Sequence, residues 1–149
     1  MQRKLHENKK IKNASPLEYE GIQFKSKLEK MTYQTLKESN FPVEYEPTKF
    51  IIWEGFRPTV PFYNKDTNTR MLKLENKKVI DISYTPDFVF IYRGYLIIIE
   101  AKGIENEVFP LKKKIFRKWL ETHYPKSIYF EIYTKKQLLQ AIDIIKALK

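Results

Sequence analysis

Two β-rich runs, residues 87–92 and 95–100, are separated by nothing but Arg93 and Gly94. Aromatic and β-branched residues on either side of a two-residue gap that ends in glycine predict a tight hairpin. The second run, Tyr95-Leu96-Ile97-Ile98-Ile99-Glu100, is apolar almost throughout, the pattern of a central strand covered on both faces. Such a strand needs a layer on each side, and the rest of the chain has to supply both.

Helices are legible on both flanks. Ser26-Lys27-Leu28-Glu29 has the form of a capping box, and Leu28, Met31, Thr35 and Leu36 continue it at helical spacing, which predicts a helix over 27–38 ending before Asn40 and Pro42. Leu111, Ile115, Phe116, Trp119 and Leu120 fall on one helical face, with Lys112, Lys113, Arg117 and Lys118 away from it. A strand is expected over 127–133. Thr134 to Gln137 then repeats the capping pattern before a closing helix that carries Leu138, Ile142 and Ile145. Residues 43–83 read as extended and interrupted, with a strand at Phe50-Ile51-Ile52-Trp53, breaks at Pro58 and Pro61, and a turn or loop over 64–68. The order helix, strands, hairpin, helix, strand, helix predicts one α/β domain over 16–149: a mixed central sheet flanked by helices, preceded by a basic flexible arm at 1–15.

Composition narrows the chemistry. No run approaches the roughly 18 apolar residues of a membrane span, and residues 1–13 hold no apolar segment of the signal-peptide kind. The absence of cysteine removes disulfides, thiolate zinc sites and cysteine nucleophiles, and His6 and His123 are too few and too far apart for a histidine metal centre. A cytoplasmic chain that works with carboxylates, lysines, hydroxyls or a cofactor is expected. Lys plus Arg number 28 against 18 acids, a formal charge of +10, so a polyanion, nucleic acid above all, is the expected partner. The excess gathers at residues 1–13 and in Lys112, Lys113, Lys114, Arg117 and Lys118. Taken singly, such runs are ordinary solvated faces; beside a reactive centre they make phosphate contacts.

That centre is read from the hairpin. Asp87 opens its first strand and Glu100 closes its second, so the two carboxylates are expected side by side at one sheet end. Lys102, two residues beyond Glu100, shares its face if the strand extends that far. Adjacent carboxylates repel unless one takes a proton or a divalent cation neutralises both. An all-oxygen donor set suits Mg²⁺ or Mn²⁺ together with water and a substrate phosphate, and the Ala101 carbonyl is a further candidate ligand. Phosphodiester hydrolysis is the chemistry such a group performs, with Lys102 orienting the attacking water or offsetting developing charge.

Pro86-Asp87, a gap, then Glu100-Ala101-Lys102 resembles the PD-(D/E)xK nuclease signature. Tyr84-Thr85-Pro86-Asp87-Phe88, Ile99-Glu100-Ala101-Lys102-Gly103 and the upstream Ser26-Lys27-Leu28-Glu29 look like the bacteriophage endonuclease I type of Holliday-junction resolvase and related small phage proteins, over about residues 21–134. The resemblance implies a restriction-endonuclease-like core, a Mg²⁺-dependent endodeoxyribonuclease acting on branched DNA, and a homodimer. It also implies an acidic residue on the first helix that completes the site. Glu29 is the matching position, with Glu20 the fallback. The stretch 43–82 is longer than in a minimal resolvase of this kind, so strand exchange between protomers is not carried over. The rival expectation is a non-catalytic DNA-binding module on the same scaffold.

Overall fold

The computed structural model describes residues 17–103 and 107–149; the arm expected at 1–15 lies outside them. A small hairpin, β1 (Glu18–Tyr19) and β2 (Ile22–Gln23), leads into α1 (Lys27–Glu38). Ser26, in extended conformation, caps α1 by accepting the Glu29 N–H at 3.1 Å, as its place three residues before a glutamate predicts. The helix stops at Ser39, and Asn40 turns the chain out through a left-handed conformation (φ 61°), which asparagine tolerates.

The expected hairpin is β8 (Phe88–Tyr92) and β9 (Tyr95–Ala101), paired from Tyr92↔Tyr95 to Phe88↔Ile99. Arg93 and Gly94 both have positive φ, at 48° and 77°, the conformation of a type I′ turn, whose twist matches that of the strands. β3 (Glu44–Tyr45) pairs antiparallel with β8. The chain leaves β9 through α2 (Phe109–His123), returns as β10 (Ser127–Ile132) parallel to β9, and closes with α3 (Lys135–Lys146). The result is a mixed four-stranded sheet in the order β10-β9-β8-β3. Among the described residues no helix is long and apolar enough to cross a membrane.

Strand alternation divides β9 between two cores. Ile97, Ile99 and Ala101 enter a cluster with Tyr33 and Leu36 of α1 and Leu138, Ile142 and Ile145 of α3. Leu96 and Ile98 enter a second cluster with Phe116 and Leu120 of α2 and with Phe50, Ile52 and Tyr84. These last three sit on a separate antiparallel pair, β4 (Phe50–Trp53) and β7 (Ile82–Tyr84). Ile97, Ile98 and Ile99 are fully buried, each worth about 1.5–3 kcal/mol against exposure. Glu100 falls on the α2 face of the same alternation, so a charged group ends an otherwise apolar row.

Two expectations need correction. Leu111 is exposed at 59% while Phe109 is buried: the helix begins earlier than the apolar run indicates, and its inward stripe is Phe109, Phe116 and Leu120. In the segment 64–68, Asn64 and Lys65 belong to β5 (Tyr63–Lys65), which pairs with β6 (Leu72–Leu74). Only from Asp66 onward is there a turn, with the Asp66 carboxylate accepting the Asn68 and Thr69 N–H groups, both at 2.9 Å.

Candidate active site

Asp87 directly precedes β8, and the pairing Phe88↔Ile99 carries it to the end of β9 beside Glu100. Both carboxylates are buried, at 8% and 4% exposure. Asp87 Oδ2 accepts the Ala101 N–H at 2.8 Å, and Glu100 Oε2 accepts the Asp87 N–H at 3.3 Å. Each acid is therefore fixed by the backbone next to the other. In an extended strand a residue's N–H and C=O point to the same side. The Lys102 N–H goes to the Ile132 carbonyl on β10, so the Ala101 carbonyl faces the Asp87 side.

Lys102 shares the face of Glu100, as two-residue spacing requires; its Nζ lies 2.7 Å from Glu100 Oε1. The ammonium also sits 3.7 Å from the centre of the Phe109 ring, which confines it from the helix side. Tyr84 donates its hydroxyl to Glu100 Oε2 at 2.6 Å. Its single proton thus committed, Tyr84 accepts from the Tyr129 hydroxyl 3.0 Å away. Burial, followed by the Glu100 charge, pushes the Tyr84 phenol well above its ordinary range, so it stays a donor. The chain Tyr129, Tyr84, Glu100, Lys102 links β10, β7 and β9 through side chains alone.

Burial, and next the charge of Glu100, raise the Asp87 carboxyl from 3.8 to about 7, against the opposing effect of the Ala101 N–H. A buried, close-set acid pair in this condition is the arrangement a divalent cation relieves.

Glu29 lines the same cleft, a space of about 510 Å³ bordered also by Lys25, Glu46, Thr85 and Lys112. Its carboxylate is heavily engaged: Oε1 accepts the Ser26 hydroxyl at 2.9 Å, and Oε2 accepts the Tyr45 hydroxyl at 2.6 Å and the Lys25 N–H at 3.1 Å. Glu46 across from it is ion-paired with Lys25. Glu20, the fallback acid, lies elsewhere, against Tyr33 and Lys37. Among the described residues no three His, Cys, Asp or Glu side chains gather closely enough to hold a metal by themselves. The oxygens that fit a hard cation are those of Asp87, Glu100 and the Ala101 carbonyl, a set that leaves positions for water and phosphate.

The basic residues of α2 do not form one surface, because neighbours on a helix diverge by about 100°. Lys112 borders the cleft. Lys113 reaches Glu131 at 2.8 Å. Lys114 and Lys118 flank a hollow with Ile52 and Trp53, and Arg117 borders another with Tyr124 and Tyr129.

Sequence reasoning missed Tyr84, Tyr129 and Tyr45. Tyr84 stands three residues before Asp87 in Tyr84-Thr85-Pro86-Asp87, so a signal existed. Tyr129 and Tyr45 arrive through the pairing of strands distant in sequence, which no local pattern encodes.

A family model described as "Protein of unknown function (DUF1064)" matches residues 9–134. No curated protein and no solved structure matches the chain.

Proposed function

We propose that this chain, which belongs to the DUF1064 family, is a metal-dependent endodeoxyribonuclease of the PD-(D/E)xK kind. The observation that carries the reading is the buried pair Asp87 and Glu100 at one strand end, with Lys102 Nζ 2.7 Å from Glu100. The charge of +10 supports a polyanionic substrate.

Asp87, Glu100 and the Ala101 carbonyl would hold Mg²⁺ or Mn²⁺. The bound ion supplies a lowered pKa for a coordinated water and neutralisation of phosphoryl charge. Tyr84, itself held by Tyr129, fixes the Glu100 carboxylate in one orientation. Lys102, steadied by Glu100 and the Phe109 ring, presents its remaining N–H groups to the attacking water or to a phosphate oxygen. Lys112, at the cleft margin, contacts the DNA backbone; Lys113, paired with Glu131, and Lys114, Arg117 and Lys118, which border other hollows, add to the positive field around the cleft. Glu29 adds negative charge to the cleft while anchoring the start of α1.

Branched DNA is the proposed substrate and the cytoplasm the proposed location. Paired cuts at a junction require two sites related by a twofold axis, hence a homodimer. One observation favours the rival reading, a DNA-binding module without catalysis: Glu29 and Glu100 are both satisfied by protein donors. Incubation with supercoiled plasmid, linear duplex and four-way junction in Mg²⁺, Mn²⁺ and EDTA separates them. Metal-dependent cutting of the junction in preference to the duplex is expected; retarded DNA with no cutting under any metal selects the binder.

A further inference from the structure

The strand pair that brings Tyr84 to the cleft continues outward. From Phe50↔Tyr84 the pairing passes through Trp53↔Ile82 and the bridge Phe56↔Val79 to Tyr63↔Leu74 and Lys65↔Leu72. The result is an interrupted two-stranded arm rooted in the cleft wall and ending at the turn around Asp66 to Met71. Gly55 marks its root. A Cβ there would lie 2.2 Å from the Val79 carbonyl oxygen and 2.8 Å from the Asp81 nitrogen, so only glycine lets the two strands approach this closely. The Gly55 N–H is tied to Asp81 Oδ1 at 2.6 Å.

Every residue of β5 and β6 is exposed, and Val60, Met71, Leu72 and Ile80 are each at least 70% exposed. A lone two-stranded ribbon is marginally stable in water, and an open apolar surface of this kind marks an interaction site. Charge decides the occupant. Between residues 57 and 80, Arg57, Lys65, Arg70, Lys73, Lys77 and Lys78 stand against Asp66 and Glu75 alone, a net of +4. Asp66 is committed to its own turn, where the Thr69 and Asn68 N–H groups hold its carboxyl below the usual range, and to Lys73 at 3.7 Å. Two such arms repel each other, whereas a phosphate backbone attracts one. The register puts Tyr63, Lys65, Leu72 and Leu74 on one face, a mixture of cation and apolar surface suited to phosphates and to sugars or base edges. From Tyr84 to Leu72 a ribbon reaches at most roughly 40 Å at about 3.3 Å per residue, comparable with one turn of B-DNA at about 34–36 Å.

We propose that residues 57–80 form a DNA-contacting arm that lies along a duplex up to one helical turn from the cleft and holds the substrate of the proposed nuclease. The location of the chemistry rests on that functional reading; the binding does not.

The test is fluorescence anisotropy with a labelled duplex of about 30 base pairs in EDTA. It compares the full chain with Lys65→Glu/Lys77→Glu/Lys78→Glu and with Leu72→Ser/Leu74→Ser, each checked by sedimentation. Charge reversal is expected to weaken binding at least about 30-fold near 100 mM salt and to lower the slope of log affinity against log salt by about 2 to 3. An unchanged affinity and slope overturns the proposal. So does a dimer that Leu72→Ser/Leu74→Ser dissociates while DNA binding persists, since the arm would then join two copies of the chain. Arm-dependent binding without any metal-dependent cleavage supports the arm and removes the nuclease reading; cleavage with binding indifferent to the arm does the reverse.

Discussion

Tyr84 and Glu100, sixteen positions apart, share a buried hydrogen bond of 2.6 Å. The bond joins the outer strand pair to the central sheet at the point where the chain enters Asp87. It gives Glu100 one fixed orientation, and it makes Tyr84 a positioning residue. If the chain cleaves DNA as proposed, Tyr84→Phe should leave the fold intact and slow cleavage by about 10- to 100-fold, the usual effect of losing a partner of a carboxylate that holds a metal. On the same reading, Asp87→Ala and Glu100→Gln should abolish cleavage while DNA affinity stays within about tenfold, because the proposed binding rests mainly on phosphate contacts elsewhere. Single-turnover rates beside binding isotherms provide the check, and full activity in Asp87→Ala removes that residue from the site.

The raised Asp87 carboxyl has a defined sign in stability. Its folded value of about 7 lies above the ordinary 3.8, so the folded state holds the proton more tightly. The resulting stabilisation is complete below about pH 4 and is lost as pH rises through about 7. In EDTA the wild-type chain should therefore lose stability relative to Asp87→Asn between those limits. Added Mg²⁺ should raise the melting temperature more at about pH 8 than at about pH 5, where a proton competes with it. Melting curves of both chains across pH decide this; parallel curves would mean that Asp87 is not strained by its surroundings.

Glu29 has two readings in the sequence, partner of Ser26 at the helix start and acid of the proposed site. Its carboxylate secures Ser26, Lys25 and Tyr45 and also faces the cleft. Glu29→Gln should lower stability by about 1 kcal/mol, the scale of one weakened hydrogen bond, and should slow cleavage per folded molecule by about tenfold if its charge serves the reaction. Urea denaturation and rates measured on the same preparations separate the effects. An unchanged rate confines Glu29 to its role at the helix start.

Much of the core was legible because local chemistry agreed with the global fold. Ser26 and Thr134 announced their helices through side-chain caps, and both caps are present. Arg93 and Gly94 fixed the hairpin, and the hairpin in turn brought Asp87 to Glu100. The outer arm was not legible, since its strands are three residues each and exposed on every residue; without a buried face there is no alternation to read. Leu111 was misplaced because it stands four residues before the half-buried Ile115, at helical spacing, while lying about 200° round the helix from the buried Phe109. The tyrosine relay was invisible because it depends on β10 lying beside β9 and β7 lying over the α2 face, relationships that only tertiary structure creates.

Gly55 should prove sensitive to small changes. A valine there drives its side chain into the backbone at residues 79–81 and should destabilise the chain by about 1–3 kcal/mol, as overpacking does. DNA affinity in EDTA should fall with it, because the root of the arm is displaced. Guanidinium titration and anisotropy give the two numbers, and wild-type values in both would show that the strands part there without cost.

The most direct measurement is a Mn²⁺ titration followed by electron paramagnetic resonance on the full chain, with Asp87→Asn and Glu100→Gln as comparisons. Saturable binding at one or two ions per chain is expected, abolished or weakened at least about tenfold in each variant. Binding that is absent from the wild-type chain, or equally strong in both variants, would contradict it.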